Sequence, residues 1–160
     1  MDDHRFKNAF GTELSGGEIA KEVLAFMRAE PDRTYMVTIG TDSEQYQKTG
    51  ADFVTAIVVH RVGNGGRYFW RRAQLKNFHT MRDRILHEVM TSLEVAKEAV
   101  THLKELNAPE FGLEIHIDVG ENGESKKMIQ ELVGMIRANN FEARTKPESY
   151  AASSVADRHV

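Results

Sequence analysis

The polar and apolar positions of the chain change period several times. Residues 15–30 carry Ile19, Val23, Leu24 and Met27 at helical spacing, with Ser15 as N-cap and Glu18 as its capping-box partner. That pattern predicts a helix, ended by Pro31-Asp32. Residues 34–41 (TYMVTIGT), 51–62 (ADFVTAIVVHRV) and 67–74 (RYFWRRAQ) are rich in β-branched and aromatic residues and predict three strands. A short polar turn with Lys48 and Gly50 separates the first two; Gly63, Asn64, Gly65 and Gly66 supply the positive φ of a tight hairpin between the last two. From about residue 80 to 106 the period becomes 3.6, with Met81, Ile85, Val89, Leu93, Ala96, Val100 and Leu103 on one stripe. Residues 113–119 (LEIHIDV) alternate as a strand, residues 125–138 return to a helical face, residues 141–145 can form a last strand, and Pro147 can open a terminal helix.

A meander followed by alternating helices and strands predicts an α/β fold. Right-handed crossovers add the fourth and fifth strands parallel to the first, giving a mixed sheet with helices expected on both faces. No repeat, low-complexity tract or linker interrupts the 160 residues, so a single domain over 1–160 is expected, with 1–31 as an N-terminal helical extension. The methionines Met27, Met81, Met90, Met128 and Met135 read as core filler.

Charge and composition narrow the chemistry. With 21 Lys+Arg against 24 Asp+Glu, the formal charge of −3 argues against holding nucleic acid by a bulk positive field and leaves room for a local basic track. The absence of cysteine excludes a disulfide framework and a thiolate zinc site. The start, MDDHRFKNAF, lacks a signal-peptide pattern and no apolar run reaches membrane-spanning length, so a soluble cytoplasmic protein with no membrane partner is expected.

Asp42 falls where the first predicted strand runs out, on the side of Gly40, Thr38 and Met36. In the fourth strand the apolar positions take one face and leave Glu114, His116 and Asp118 on the other. If the first and fourth strands are parallel neighbours, Asp42 and Asp118 both lie at carboxyl ends, separated by ~4.8 Å of strand spacing, where open sheets bind ligands. Two carboxylates so placed repel, and a hard divalent cation is the natural partner for them. On the long helix, Glu88 alone among the acids steps with an apolar or small stripe, through Ile85, Ser92, Val95 and Ala99; it is the candidate third ligand. Asp157, in AASSVADRHV, is the candidate fourth, preceded by small residues that permit close approach. Each has a bland alternative: Asp42 and Asp118 as turn residues, Glu88 paired with Arg84, Asp157 as a helix end. His116 and His87 read as structural histidines.

These residues carry a resemblance. An Asp in GTDS, a helical Glu after the third strand, an Asp in HIDVG and a late Asp in ASSVADRH together resemble the acidic set of the ribonuclease H-like superfamily, and the GTDS opening and ADRH ending look like its YkuK-type bacterial family, related at fold level to the RuvC/YqgF group. The resemblance implies a five-stranded mixed sheet in order 3-2-1-4-5 with strand 2 antiparallel. It also implies a nuclease that uses two divalent ions, Mg²⁺ or Mn²⁺, on Asp42, Glu88, Asp118 and Asp157. One ion would activate a water and the other would stabilise the leaving oxygen. The substrate class that follows is RNA, an RNA-DNA hybrid or branched DNA.

Candidate substrate contacts are Arg71, Arg72 and Lys76 on or just beyond the third strand, Lys126 on the penultimate helix, and Arg158 and His159 at the end of the sequence. The competing reading makes the arginines of the third strand guards of a sheet edge. Two rival functions stay open: a non-catalytic ribonuclease H-like module that binds nucleic acid or a protein, and a phosphate-binding relative of the actin and sugar-kinase type, for which one domain is too few.

Overall fold

The computed structural model describes residues 5–119 and 124–146, with the side chains of residues 124 and 125 left aside. The N-terminal segment forms two short strands, β1 (Phe6–Asn8) and β2 (Glu13–Leu14), and then helix α1 (Gly16–Ala29). The Ser15 hydroxyl accepts from the Glu18 N–H and the Glu18 carboxylate accepts from the Ser15 N–H, closing the expected capping box. The meander follows as β3 (Tyr35–Tyr46), β4 (Gly50–Arg61) and β5 (Gly66–Leu75), then α2 (Met81–Glu105), β6 (Gly112–His116), α3 (Glu124–Ala138) and β7 (Glu142–Arg144).

The β4–β5 hairpin turns through Gly63 at φ +78° and Gly65 at φ +83°, a region L side chains rarely adopt. Gly50, which opens β4, has a different reason for being glycine. A Cβ there would stand 2.6 Å from the Tyr46 carbonyl oxygen, so β3 and β4 can close their hairpin only if the position is bare.

The sheet has seven strands in the order β2-β1-β5-β4-β3-β6-β7. The five expected strands keep the expected order; the count of five is corrected by β1 and β2. Strands of three and two residues carry too little alternation to be read from a sequence. Their presence also changes the third predicted strand, β5, which is not a bare edge: Lys7 and Asn8 of β1 pair antiparallel with Trp70 and Phe69.

Register shows how the layers form. Phe69, Ile57, Ile39, Ile115 and Ala143 are consecutive partners across β5, β4, β3, β6 and β7, and all five are buried. This row belongs to one core cluster that also takes Ile19, Val23 and Met27 of α1, Ile85, Val89 and Leu93 of α2, and Met128, Leu132 and Ile136 of α3. Each such fully buried side chain is worth ~1.5–3 kcal/mol. The adjoining row, Trp70, Ala56, Gly40, His116 and Arg144, points to the other face.

All three described helices therefore pack on one face of the sheet, a correction to the expectation of helices on both. The reason is chiral. From β3 to β6 to β7 the chain advances in one direction across the sheet, and right-handed crossovers that advance the same way leave α2 and α3 on the same side. Met81 and Met90 are likewise corrected from core to surface, at 52% and 49% exposure. No helix among the described residues is long and apolar enough to cross a membrane.

Candidate active site

The acidic residues gather at the carboxyl end of β3. This strand does not stop at Thr41 as expected; it continues paired with β4 as far as Tyr46, and Asp42 lies opposite Val54 inside the ladder. The parallel ladder between β3 and β6 ends at Gly40 and His116, so Asp42 and Asp118 each stand two residues beyond it, in matching positions on neighbouring strands. Asp42 and Asp118 are both half-buried.

Glu88 comes in from α2, one turn after Arg84. It is 6% exposed, and the Ser43 hydroxyl donates to its Oε2 at 2.5 Å. Burial pushes its carboxyl up to about 8; the negative charges of Asp42 and Asp118 push the same way, while the Ser43 hydrogen bond and the Arg84 charge oppose them. The three sequence-predicted acids are thus within electrostatic reach of one another. Among the described residues, no group of three or more His, Cys, Asp or Glu side chains stands close enough to hold a metal ion as placed.

Cations already lean on this cluster. The Lys146 ammonium lies 2.7 Å from Asp118 Oδ1, and Arg84 Nη1 donates to the Ser43 carbonyl at 3.4 Å. Arg84 therefore supports the Glu88 environment from the Ser43 side, which differs from the direct ion pair weighed as the bland reading. The donor set is all oxygen, one carboxyl is buried beside two like charges, and an ammonium stands against another. That chemistry fits a hard divalent cation such as Mg²⁺ or Mn²⁺. The fourth candidate, Asp157, lies outside the described residues, as do Arg158 and His159.

Behind the acids a chain of hydroxyls crosses from sheet to helix. Thr41 Oγ1 is 3.1 Å from Thr55 Oγ1 and 2.9 Å from Ser92 Oγ, all three groups buried. Mutual hydrogen bonding lets polar side chains occupy the interior beside Glu88 without loss. Sequence reasoning missed Ser43 and Lys146 as partners of the acids. Ser43 had a signal, since it follows Asp42 directly in GTDS; Lys146 had none, because its approach to Asp118 depends on the pairing of β7 with β6.

The basic candidates divide. Arg72 is held by Asp52 through two hydrogen bonds, and the Arg71 guanidinium lies 5.0 Å from the Phe6 ring centroid. Lys76, just past β5, and Lys126, in the first turn of α3, are exposed. His116 is buried and contacts Glu114, which also accepts from Arg144; burial pulls its imidazole below the ordinary histidine value. His87 is lowered by burial too, packed 4.6 Å from Phe53 and 5.2 Å from Phe78 between ring centroids.

A mixed sheet with a helical carboxylate brought to two acids at parallel strand ends defines a class, and the comparisons agree with it. A family model described as "Ribonuclease H-like" matches residues 18–160, and the chain belongs to the ribonuclease H-like family. Within that family it is of the YkuK type: it is 31% identical over 173 aligned residues to "Uncharacterized protein YkuK" of Bacillus subtilis (strain 168), with 98% of this chain and 97% of the relative covered. No solved structure matches the chain. Family membership supports a nuclease-like or nucleic-acid-binding module.

Proposed function

We propose that this protein is a divalent-metal-dependent nuclease that hydrolyses phosphodiester bonds in RNA, an RNA-DNA hybrid or branched DNA. The observation that carries the reading is the approach of Asp42 and Asp118 to a buried Glu88 whose carboxyl burial and like charge have raised to about 8. A buried carboxyl with two acidic neighbours is poor structural design unless a cation completes it.

In this reading Asp42, Glu88, Asp118 and Asp157 hold Mg²⁺ or Mn²⁺. Bound there, such ions activate a water and neutralise charge on the phosphate and on the leaving oxygen. The chain's own groups set the site up. The Ser43 hydroxyl orients the Glu88 carboxylate by donating to Oε2, and Arg84 braces that Ser43 from the helix. Lys146 balances Asp118.

The pairing of Lys146 with Asp118 also supports a second reading, a non-catalytic module in which an ammonium has taken the cation's place. One experiment separates the two: cleavage of a panel of RNA, hybrid and junction substrates in Mg²⁺ or Mn²⁺, by wild type and by Asp42→Asn, with a thermal melt under each ion. The nuclease reading expects cleavage by wild type only, with ion-dependent stabilisation that Asp42→Asn weakens. Binding without cleavage on every substrate and no ion-dependent shift would leave the module.

A further inference from the structure

Four positions form a square where the β3–β6 ladder ends, on the sheet face away from the helices. Gly40 and His116 are register partners, and Asp42 and Asp118 each follow two residues later. Thr41 reaches Ser92 of α2, so Gly40 and Asp42 take the opposite face. Ile115, Ile117 and Val119 are all buried in the core, so the alternation runs on past β6 and puts His116 and Asp118 on that same opposite face. Neighbouring strands are about 4.8 Å apart, and glycine leaves the corner beside His116 bare.

His116 is 8% exposed. Its Nε2 lies 3.4 Å from Glu114 Oε2, and Glu114 Oε1 accepts from Arg144 Nε at 3.2 Å. A carboxylate only accepts, so this contact places the imidazole proton on Nε2 and leaves Nδ1 with a lone pair. Among the described residues no hydrogen bond reaches Nδ1, and none reaches Asp118 Oδ1; both atoms are shut off from solvent. The charge of Asp118 Oδ1 is met by the Lys146 ammonium at 2.7 Å. A histidine that serves only packing is expected to use both ring nitrogens when buried. One that ties its far nitrogen to a carboxylate and keeps the near one bare has the arrangement that orients a metal-binding imidazole.

We propose that His116 Nδ1 is an ion ligand beside Asp42 and Asp118, and that it makes the site prefer a first-row transition ion such as Mn²⁺ or Co²⁺ over Mg²⁺. The inference rests on the proposed reading of the two carboxylates as ion ligands and adds a nitrogen to their oxygens. Mg²⁺ takes oxygen ligands and gains little from imidazole, whereas first-row ions accept it readily. The three side chains do not hold an ion as placed. Like charges splay apart until a cation draws them in, and the backbone has already set them on one face at one strand end.

Histidine side-chain ¹⁵N NMR on the full-length protein reads the tautomer and the ligation directly. Ion-free His116 is expected as the Nε2–H tautomer. Zn²⁺, a diamagnetic stand-in for the first-row ions, should shift its Nδ1 resonance and leave that of the exposed His60 unmoved. Calorimetric titration with Mn²⁺ and with Mg²⁺ then gives the preference. His116→Phe keeps a ring and removes the nitrogen; it should weaken Mn²⁺ at least about tenfold, the low end of what even partners of metal ligands contribute, and change Mg²⁺ by less than about twofold. His116→Gln is the second variant, should phenylalanine disturb folding, and the same loss of preference is expected.

An unchanged ratio of Mn²⁺ to Mg²⁺ affinity in a folded variant overturns the proposal. An Nδ1–H tautomer does the same, as does an Nδ1 that no ion shifts, the result if a buried water fills the gap. The two readings fail separately. Metal-dependent cleavage by a His116→Phe protein of wild-type ion preference would sink the ligand and keep the nuclease; ligation by His116 in a protein that cleaves no substrate would do the reverse.

Discussion

Arg61 and Glu88 sit at similar depth, 8% and 6% exposed, in opposite circumstances. The Arg61 guanidinium donates to the Phe26 carbonyl at 2.7 Å and to the Tyr35 hydroxyl at 3.1 Å, pairs with Glu30 at 2.5 Å and lies 3.9 Å above the Phe26 ring. The Tyr35 hydroxyl donates in turn to the Glu30 carbonyl at 2.7 Å. Together they give the last turn of α1 the partners that a helix end lacks. Glu88 has one hydroxyl donor and two acidic neighbours. A buried charge whose partners are all present organises the structure around it. One surrounded by its own sign keeps a standing demand for a cation, which is how sites differ from scaffolding.

Breaking the satisfied side should have the largest effect on stability. Arg61→Ala removes the close donor to the Phe26 carbonyl and the guanidinium stacked on the Phe26 ring, while Glu30 keeps Arg33 at 3.2 Å, and it is expected to cost about 3 kcal/mol, measured as a shift in urea midpoint at constant slope. A cost below about 1 kcal/mol would remove the contrast. On the other side, Asp42→Asn should lower metal-dependent cleavage by at least about 100-fold, the scale on which even supporting groups of a metal site act, with the urea midpoint nearly unmoved.

Glu88→Gln sharpens the comparison through pH. A carboxyl raised to about 8 in the folded state stays protonated while the unfolded chain ionises near the ordinary value of 4.5, so wild-type stability should be highest below about pH 4.5 as far as this group is concerned. It should then fall as pH rises toward 8. Glutamine removes that dependence, so the variant should be more stable than wild type at pH 8 by roughly 1–3 kcal/mol, and indistinguishable from it near pH 4. Thermal melts across pH check this, and Mg²⁺ or Mn²⁺ at pH 8 should recover much of the wild-type deficit while leaving Glu88→Gln unmoved. The smallest effect is expected for Ser43→Ala, which deletes the hydroxyl donor to Glu88. It should cost about 1 kcal/mol and extend the pH-dependent loss to higher pH, since that bond holds the Glu88 carboxyl down in the folded state.

Much of the candidate site was legible because the ends of alternating stretches are. Asp42 and Asp118 follow alternating stretches, and parallel pairing of their strands was enough to bring them to neighbouring positions. Glu88 was legible because it occupies a helical stripe otherwise apolar or small, and the stripe is indeed buried at Ile85, Ser92 and Val95. What surrounds them was not. The approach of Lys146 to Asp118 and the fastening of Arg72 to Asp52 join residues 28 and 20 positions apart, through strand pairs whose register no single segment specifies. Arg71 and Arg72 of β5 look like substrate contacts in the sequence; Arg72 is spent on Asp52, and Arg71 lies over a Phe6 that a strand too short to foresee puts beside it.

The amino-acid sequence by itself determined the order of the elements, the cap of α1, the hairpin turns and which acids follow alternating stretches or face inward, because these depend on the backbone geometry of a few successive residues. The tertiary structure decided which face the helices share, that β1 and β2 extend the sheet, and that Glu88 meets Ser43 across 45 positions. Those follow from chirality and from the register of the whole sheet, quantities that exist only once distant segments have packed.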